Sequence, residues 1–250
     1  MDHFDLSGRI ALVTGAGNGI GRHFVTALSG ANAHVIATDI DEQGLSATAR
    51  LCTPGTVTTH VLDVTDETAV LAAAERLGPV DILVNNAAIY NVVRLNRGDY
   101  AALSVEDWQR MLTVNVIGTW LCCKAFAPGM QSAGYGKIVN ISSGTALKGA
   151  QNMAHYAASK AAIIGFTKSL AREVGKDGVT VNALAPGNTL SEDVVSEEMR
   201  AAGARTAATR IIARQQVPGD LLGSLLYLAS PASDFMTGQT LVVDGGSYLH

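Results

Sequence analysis

Cysteine is scarce in this chain, and its few copies are poorly placed for a disulfide framework or a metal site. Cys52 stands alone, and Cys122 and Cys123 are adjacent, without the spaced pairs that zinc sites use. We interpret all three as small buried hydrophobic residues. The N-terminal residues lack a basic stretch followed by an apolar run, so they do not resemble a signal peptide. We therefore expect a cytoplasmic protein.

Charge is also low, which excludes several classes of partner. Only 16% of the 250 residues are charged, the net charge is -4, and no basic block stands out. A nucleic-acid partner is therefore not expected. No apolar run approaches the ~20 residues that a membrane span needs. The six histidines show no metal-ligand spacing, so we expect no metal. What remains is a small-molecule substrate.

Apolar, β-rich segments alternate with helical patterns from one end of the chain to the other. Strands are predicted at 10–14, 33–39, 56–63, 81–85, 137–142, 179–185 and 240–243, and the longer helices at 105–130 and 154–174. Such alternation predicts one α/β domain over 1–250, with a doubly wound parallel sheet of Rossmann type. Ligands bind such sheets at the carboxyl ends of the strands. The polar, weakly patterned segment 189–216 is expected to be a substrate lid.

Residues suited to a dinucleotide cluster at those strand ends. A glycine-rich turn follows the first predicted strand and opens a helix, where the backbone can approach a pyrophosphate. Asp39 ends the second strand, and an acidic residue there binds a ribose hydroxyl and repels a 2'-phosphate, which favours NAD. The predicted cofactor-binding residues are Gly15, Asn18, Gly19, Ile20, Gly21, Asp39, Ile40, Asp63, Val64, Asn86, Ala87, Tyr156, Lys160, Pro186, Gly187 and Thr189.

Some of these residues also have structural interpretations. Asp39 could be a helix-start carboxylate, and the Asn85-Asn86 pair could form a turn that ties strand ends together. We expect Asn85 to be the more structural of the two and Asn86 to lie closer to the cofactor. Asp63 and Val64 would meet the adenine ring, and the Thr189 hydroxyl would hold the nicotinamide carboxamide.

Tyr156 and Lys160 stand four residues apart in a predicted helix, with Ser143 and Asn115 upstream. Residues four apart share a helix face, so the phenol and the ammonium point the same way. A free phenol has a pKa near ~10, and a neighbouring cation favours its ionised form. Such a tyrosine can exchange a proton with an alcohol or carbonyl oxygen, which the Ser143 hydroxyl would hold. Alone, the spacing is more typical of an exposed helix pair.

Taken in order, these motifs resemble the short-chain dehydrogenase/reductase family, in its single-domain form, over essentially the whole chain. The matching residues are Thr14, Gly15, Gly19, Gly21, Asp63, Asn85, Asn86, Ala87, Asn115, Ser143, Tyr156, Lys160, Pro186 and Gly187. The resemblance implies that Tyr156 is the general acid/base and that Ser143 orients the substrate oxygen. It implies that Lys160 lowers the tyrosine pKa and binds the nicotinamide ribose. Asn115 would hold a water that relays protons.

Two departures from the family pattern affect the substrate side of the site. Ala88 replaces the glycine that usually follows the Asn-Asn-Ala motif, and the stretch before Trp108 carries extra residues around 94–100. Within the family, segments 124–130 and 238–246 and the terminal His250 resemble 1-phenylethanol dehydrogenase and pyridoxal 4-dehydrogenase. That narrower resemblance implies NAD-linked oxidation of a secondary or benzylic alcohol.

The leading hypothesis is an NAD-dependent oxidoreductase acting on an apolar secondary alcohol or ketone, cyclic or aromatic. The expected pocket walls are Tyr90, Val92, Thr145, Leu147, Met153 and segment 190–214. An anionic hydroxy or keto acid is the alternative if one of Arg94, Arg97, Arg205 or Arg210 turns inward. A dinucleotide-binding sensor without turnover, or an epimerase, is also possible. Small residues at 158, 162, 165 and 169 form a helix stripe that predicts a homotetramer.

Overall fold

Seven parallel strands form one sheet in the computed structural model, which describes residues 4–90, 96–191 and 196–249. In chain order they are β1 (Ile10–Thr14), β2 (His34–Asp39), β3 (Val57–Val61), β4 (Ile82–Asn85), β5 (Gly136–Ile141), β6 (Val179–Pro186) and β7 (Thr240–Val243). Their spatial order is β3-β2-β1-β4-β5-β6-β7. The order reverses between β1 and β4, which is the switch point of a doubly wound Rossmann-type fold. The predicted fold class is confirmed.

Helices cover both faces of this sheet. They are α1 (Gly19–Gly30), α2 (Glu42–Ala49), α3 (Glu67–Leu77), α4 (Val105–Leu112), α5 (Gly118–Ala133), α6 (Thr145–Lys148), α7 (Ala154–Val174), α8 (Glu197–Ala208) and α9 (Gly219–Ala229). Side chains alternate between faces along a strand. On β1, Ala11 and Val13 therefore pack with α1 and α9, while Leu12 packs with α3, α5 and α7. Both faces are buried, which is why the strands are nearly continuous apolar runs.

The long helix predicted over 105–130 is interrupted. A π-helical turn at Thr113–Ile117 separates α4 from α5, and Asn115 lies inside that turn. Single π turns within α-helices are rare and often mark functional sites. Apolar periodicity alone does not distinguish a π turn from a regular helix, so the sequence prediction missed it.

The continuous helical stretch Val105–Ala133 is also long and apolar enough to cross a membrane by length and composition, which the sequence analysis did not expect. Half of its most apolar window is buried inside the fold. There Leu121, Phe126 and Met130 of α5 pack in the core beneath the sheet. Its hydrophobicity is that of a core helix.

The segment predicted to be a lid leaves the sheet after β6 and returns before α9. Thr189 and Gln216 pair as an isolated parallel bridge, and the Leu190 amide donates to the Gln216 carbonyl at 3.0 Å. These contacts close the segment at its base, and α8 lies between them. Residues 192–195 lie outside the described part of the chain. The base of the segment is thus fixed to the sheet edge where ligands are expected.

Candidate active site

A cleft of about 860 Å³ opens along the carboxyl ends of the strands. Every residue predicted to bind the cofactor lines it, as do Ser143, Tyr156 and Lys160. Its volume is in the range that cofactor and substrate sites occupy. The sheet topology therefore brings together residues that are far apart in the sequence.

The glycine-rich turn is shaped by close contacts that exclude side chains. A Cβ added at Gly21 would lie 2.0 Å from the Gly15 carbonyl oxygen, and one added at Gly15 would lie 2.8 Å from the Ala87 Cα. Gly15 and Gly19 also have φ values of 64° and 54°, which favour glycine. Helix α1 begins at Gly19 with no acidic residue in its first turn, so its N-terminus suits a pyrophosphate. The cradle fits a dinucleotide.

Asp39 faces this turn from the end of β2. Its carboxylate accepts hydrogen bonds from the Gly17 amide at 2.8 Å and the Asp41 amide at 3.0 Å. The side chain lines the cleft beside the exposed Ile40. Asp39 thus orders the turn and also presents negative charge toward the position expected for a ribose. The helix-start interpretation is not supported, because Asp41 is the residue whose side chain caps α2.

A group of hydrogen bonds joins the end of β1 to the residues that follow β4, next to the glycine-rich turn. The Thr14 hydroxyl accepts from the amides of Asn86 and Ala87, both at 3.0 Å. The Asn86 side chain donates to the Thr14 carbonyl at 3.1 Å and the Gly15 carbonyl at 2.9 Å. Asn85 is instead buried and donates to the Asn140 side chain at 2.9 Å. The expected division between a structural Asn85 and a cleft-lining Asn86 agrees with this geometry.

Tyr156 and Ser143 meet at the middle of the cleft. The Ser143 Oγ accepts from the Thr145 hydroxyl at 2.9 Å, which leaves the Ser143 proton available to a neighbouring oxygen. Burial raises the pKa of Tyr156, the Tyr90 ring neighbour raises it further, and the Ser143 hydrogen bond and Arg97 lower it. The two hydroxyls therefore form a paired site for one substrate oxygen.

Lys160 occupies the same helix face as Tyr156, as the spacing predicts. Its Nζ lies 5.9 Å from the Tyr156 ring centroid and donates to the Ile141 carbonyl at 2.8 Å. Burial lowers the pKa of Lys160 to about 8. The expectation that this ammonium brings the phenol pKa toward neutrality is not met, because burial dominates at Tyr156 and Lys160 is directed to the strand. Both groups line the cleft.

Asn115 is brought near the site but does not line the cleft. Its Oδ1 accepts from the Ile89 amide at 2.8 Å, and its Nδ2 donates to the Ser159 Oγ at 3.0 Å. The side chain is 1% exposed. It therefore joins the end of β4 to the helix that carries Tyr156. In the structure the side chain is a structural bridge, and the proton-relay role remains a prediction.

The expected pocket walls are only partly correct. Tyr90, Thr145 and Met153 line the cleft, whereas Leu147 does not. On the short helix α6, residues 145 and 148 share a face, so Lys148 lines the cleft while Leu147 points elsewhere. Val92, Arg94 and His250 lie outside the described residues.

Positive charge lines part of the cleft, and the sequence analysis named half of it: Arg97 and Arg205 were candidates for an inward position, whereas Arg110 and Lys148 were missed. Arg97, Arg110, Lys148 and Arg205 all line the cleft, on four different segments. Arg210 does not: it is 5% exposed and donates to the Asn188 carbonyl at 2.8 Å. Arg110 lies four positions before Val114, another lining residue, but the lining position of Val114 is itself known only from the structure. The convergence of the cations follows only from the fold.

Comparison with known proteins connects this geometry to a family. The family model described as enoyl-(acyl carrier protein) reductase matches residues 15–248. A 2-keto-3-deoxy-L-fuconate dehydrogenase of Xanthomonas campestris pv. campestris is 37% identical, covering 96% of this chain and 80% of that protein. The chain belongs to the short-chain dehydrogenase/reductase family.

Other members resemble it over nearly their full length. The 3-oxoacyl-(acyl-carrier-protein) reductase of Thermotoga maritima is 35% identical, covering 96% of this chain and 98% of that protein. A structure assigned as an NAD(P)-dependent gluconate 5-dehydrogenase from Beutenbergia cavernae was solved with NADP bound at low occupancy. It has a TM-score of 0.89 and 37% identity, with 98% of both chains covered. Membership of the short-chain dehydrogenase/reductase family makes the chain an oxidoreductase with a nicotinamide dinucleotide cofactor.

The bridge made by Asn115 yields a test of its structural role. Asn115→Leu keeps the branched shape, leaves the Ile89 amide without a partner and removes the hydrogen bond to the Ser159 oxygen, so the free energy of unfolding should fall by about 2–4 kcal/mol. Chemical denaturation measures the change. Ser159→Ala removes only one of these hydrogen bonds and should cost less. Equal stability of Asn115→Leu and the wild type would contradict the bridge.

Proposed function

We propose that the protein is an NAD-dependent dehydrogenase that oxidises a secondary hydroxyl of a small hydroxy acid, or reduces the corresponding keto acid. The observation that carries the proposal is a single cleft that joins a dinucleotide cradle, a Tyr/Ser/Lys cluster and a cationic substrate side. The bound cofactor would supply the hydride acceptor and a positive charge. A sensor without turnover would need no such cluster, and NADH formed in step with turnover would separate this reaction from epimerisation.

Each group in the cluster has a proposed task in oxidation. Tyr156 accepts the hydroxyl proton, and the Ser143 hydroxyl donates to the same substrate oxygen. Lys160 binds the nicotinamide ribose. The proposed acid/base role needs no metal. Among the described residues, no group of three His, Cys, Asp or Glu side chains forms a metal-binding cluster.

The proposed preference for NAD rests on Asp39. A 2'-phosphate at this ribose would meet the Asp39 carboxylate, and neither Asn18 in the turn nor Ile40 after Asp39 offers a positive charge. Arg22 of α1 donates to the Gly17 carbonyl at 2.6 Å, beneath the turn. NADP is bound in the related structure from Beutenbergia cavernae. That observation describes the cofactor of the related protein and not that of this chain.

The distribution of charge in the cleft favours a hydroxy acid or keto acid as the substrate. The sequence analysis had instead preferred an apolar alcohol or ketone. The acids that line the cleft are Asp39, Asp41 and Asp63, all at the ends of β2 and β3 where adenosine is expected. The cations lie on the other side. Within 4–90, 96–191 and 196–249, no ion pair includes Arg97, Arg110 or Arg205. Guanidinium groups bind carboxylates strongly and in two-point fashion.

The relatives support the same substrate class. The name of one relative contains 2-keto-3-deoxy-L-fuconate, and the name of another contains gluconate. The name of a third contains a 3-oxoacyl group on acyl carrier protein, and this substrate class is the competing candidate. The lid proposed over 189–216 contributes Arg205 to the lining, so closure would bring this charge toward the substrate.

We also propose a homotetramer. Ala162, Gly165 and Ser169 are exposed along α7, and a Cβ added at Gly165 would meet nothing within 4 Å. Trp120 on α5 and Phe235 before β7 are exposed large apolar side chains. Small and apolar residues on open faces suit helix packing between subunits. Light scattering would then give four times the 26.0 kDa chain mass.

A cytoplasmic location agrees with the free state of the three cysteines.

Tyr156→Phe tests the proton transfer. The ring remains but the hydroxyl is lost, so kcat should fall by about 100-fold or more, while NADH affinity by fluorescence titration changes little. Tyr227→Phe makes the same chemical change on α9, outside the cleft, and should retain activity. A Tyr156→Phe variant with most of its kcat would exclude this tyrosine as the acid/base.

The cofactor preference is tested by kcat/KM with each dinucleotide. NAD should exceed NADP by about 100-fold, because a phosphate dianion beside Asp39 costs several kcal/mol. Asp39→Asn removes the charge and should reduce the ratio at least about tenfold. Asp66→Asn, at the start of α3 and outside the cleft, is the matched control. Equal kcat/KM values for the two cofactors in the wild type would refute the role of Asp39.

The substrate class is tested with matched pairs that differ in one carboxylate. With NAD, gluconate should be oxidised with a kcat/KM at least about tenfold above that for sorbitol, and with NADH, 4-acetylbenzoate should be reduced better than acetophenone. Arg205→Gln should reduce each preference. Faster turnover of the neutral member would support the apolar substrate, and faster turnover of an acetoacetyl thioester would support the acyl alternative.

A further inference from the structure

The described part of the insertion, from residue 96 onward, is fixed to helix α4 by one carboxylate. The Asn96 side chain donates to the Asp107 Oδ2 at 3.0 Å. Asp107 also forms a capping box with Ser104 at the start of α4. The ends of the segment 96–104 are therefore held by the same side chain. This attachment fixes the backbone next to Arg97.

Arg97 stands at the end of an aromatic stack that leads to the catalytic tyrosine. Its Cζ lies 5.5 Å from the Tyr90 ring centroid. The Tyr90 ring in turn lies 5.2 Å from the Tyr156 ring, with an interplanar angle of 39°. All three side chains line the cleft. A guanidinium over the face of a tyrosine is attracted by the ring quadrupole, which favours this position for the charge.

Several other polar groups surround Tyr156, and their positions limit what they can do. Lys160, on the same helix, is hydrogen-bonded to the Ile141 carbonyl of β5. Ser143, after β5, provides a neutral hydroxyl. Arg110 of α4 lines the cleft. His155, the neighbouring residue, stacks on Trp108 with ring centroids 6.2 Å apart and interacts with Asp107. Burial and the Tyr90 ring raise the pKa of Tyr156, and the Ser143 hydrogen bond and Arg97 lower it.

We propose that Arg97 is a positioning residue for Tyr156, held over Tyr90 by the insertion so that its charge stabilises the phenolate. The inference rests on the proposed function, in which the substrate O–H bond breaks and the proton passes to the Tyr156 oxygen. Before this transfer the phenol must be ionised, and a cation nearby makes ionisation easier. Arg97 thereby supplies a positive charge in addition to that of Lys160, from a different element of the cleft.

Arg97→Gln should move the pH dependence of alcohol oxidation. Losing the cation raises the pKa of Tyr156, so the pH at which kcat/KM reaches half its alkaline plateau should rise by about half to one unit. Arg97→Lys keeps the charge and should keep the profile near that of the wild type. The measurement uses a neutral alcohol, cyclohexanol, so that carboxylate binding does not contribute.

Two comparisons separate this effect from a general change in the cleft. Arg110→Gln removes a cation that is not stacked on Tyr90; it should change the KM for gluconate without moving the pH profile. Tyr90→Ala removes the ring that holds Arg97, but it also removes a group that raises the pKa of Tyr156, so it serves as a background and not as a mimic. In that background Arg97→Gln should move the profile less than it does in the wild type, because the position of Arg97 over the ring is already lost.

A readout without turnover keeps the test separate from the proposed function. Ultraviolet difference titration of the wild type against Tyr156→Phe, both with NAD bound, reports ionisation of this one phenol. The midpoint should rise by the same amount in Arg97→Gln and return in Arg97→Lys. Unchanged midpoints would overturn the role of Arg97 even in an active enzyme. A shifted midpoint in a protein that oxidises no alcohol would uphold it and refute the function.

Discussion

The site depends on the hydrogen bonds that join the carboxyl ends of β1 and β4. Thr14 is 1% exposed, and its hydroxyl accepts from two successive amides after β4, while Asn86 returns hydrogen bonds to two carbonyls of the glycine-rich turn. Buried polar groups are costly when unpaired, so these residues fix one another. The glycine-rich turn and the residues that follow β4 are therefore one structural unit.

A second set of buried polar contacts extends this unit to the catalytic helix. Asn115, in the π turn, bonds the Ile89 amide and the Ser159 hydroxyl. One layer deeper, Asn140 of β5 receives a hydrogen bond from Asn85 and donates to Thr167 of α7 at 3.0 Å. Both contacts tie α7 to the sheet. Tyr156 is thus held in position by polar groups that do not themselves line the cleft, and such positioning is what a precise acid/base requires.

Burial has opposite effects on the two ionisable groups at the centre of the cleft. It raises the pKa of Tyr156 and lowers that of Lys160 to about 8, so burial disfavours the charged form of each group. Within the cleft, Arg97 opposes this effect at Tyr156. The acidic ends of β2 and β3 and the cationic substrate side also divide the cleft electrostatically, with adenosine and substrate expected in opposite fields.

The sequence by itself determined the fold class, the cofactor edge and the family, because strand-helix periodicity and glycine spacing are local consequences of backbone geometry. Asp39 and the glycines of the turn could be assigned from position alone, since each sits next to the strand that places it. Only the tertiary structure decided the rest. The π turn around Asn115, the direction of the Lys160 ammonium and the convergence of Arg97, Arg110 and Arg205 on one cleft arise from packing between segments distant in the chain. Sequence periodicity does not indicate which side chains from distant segments will pack against one another. Burial raises the pKa of the tyrosine, and burial is established only when the chain folds.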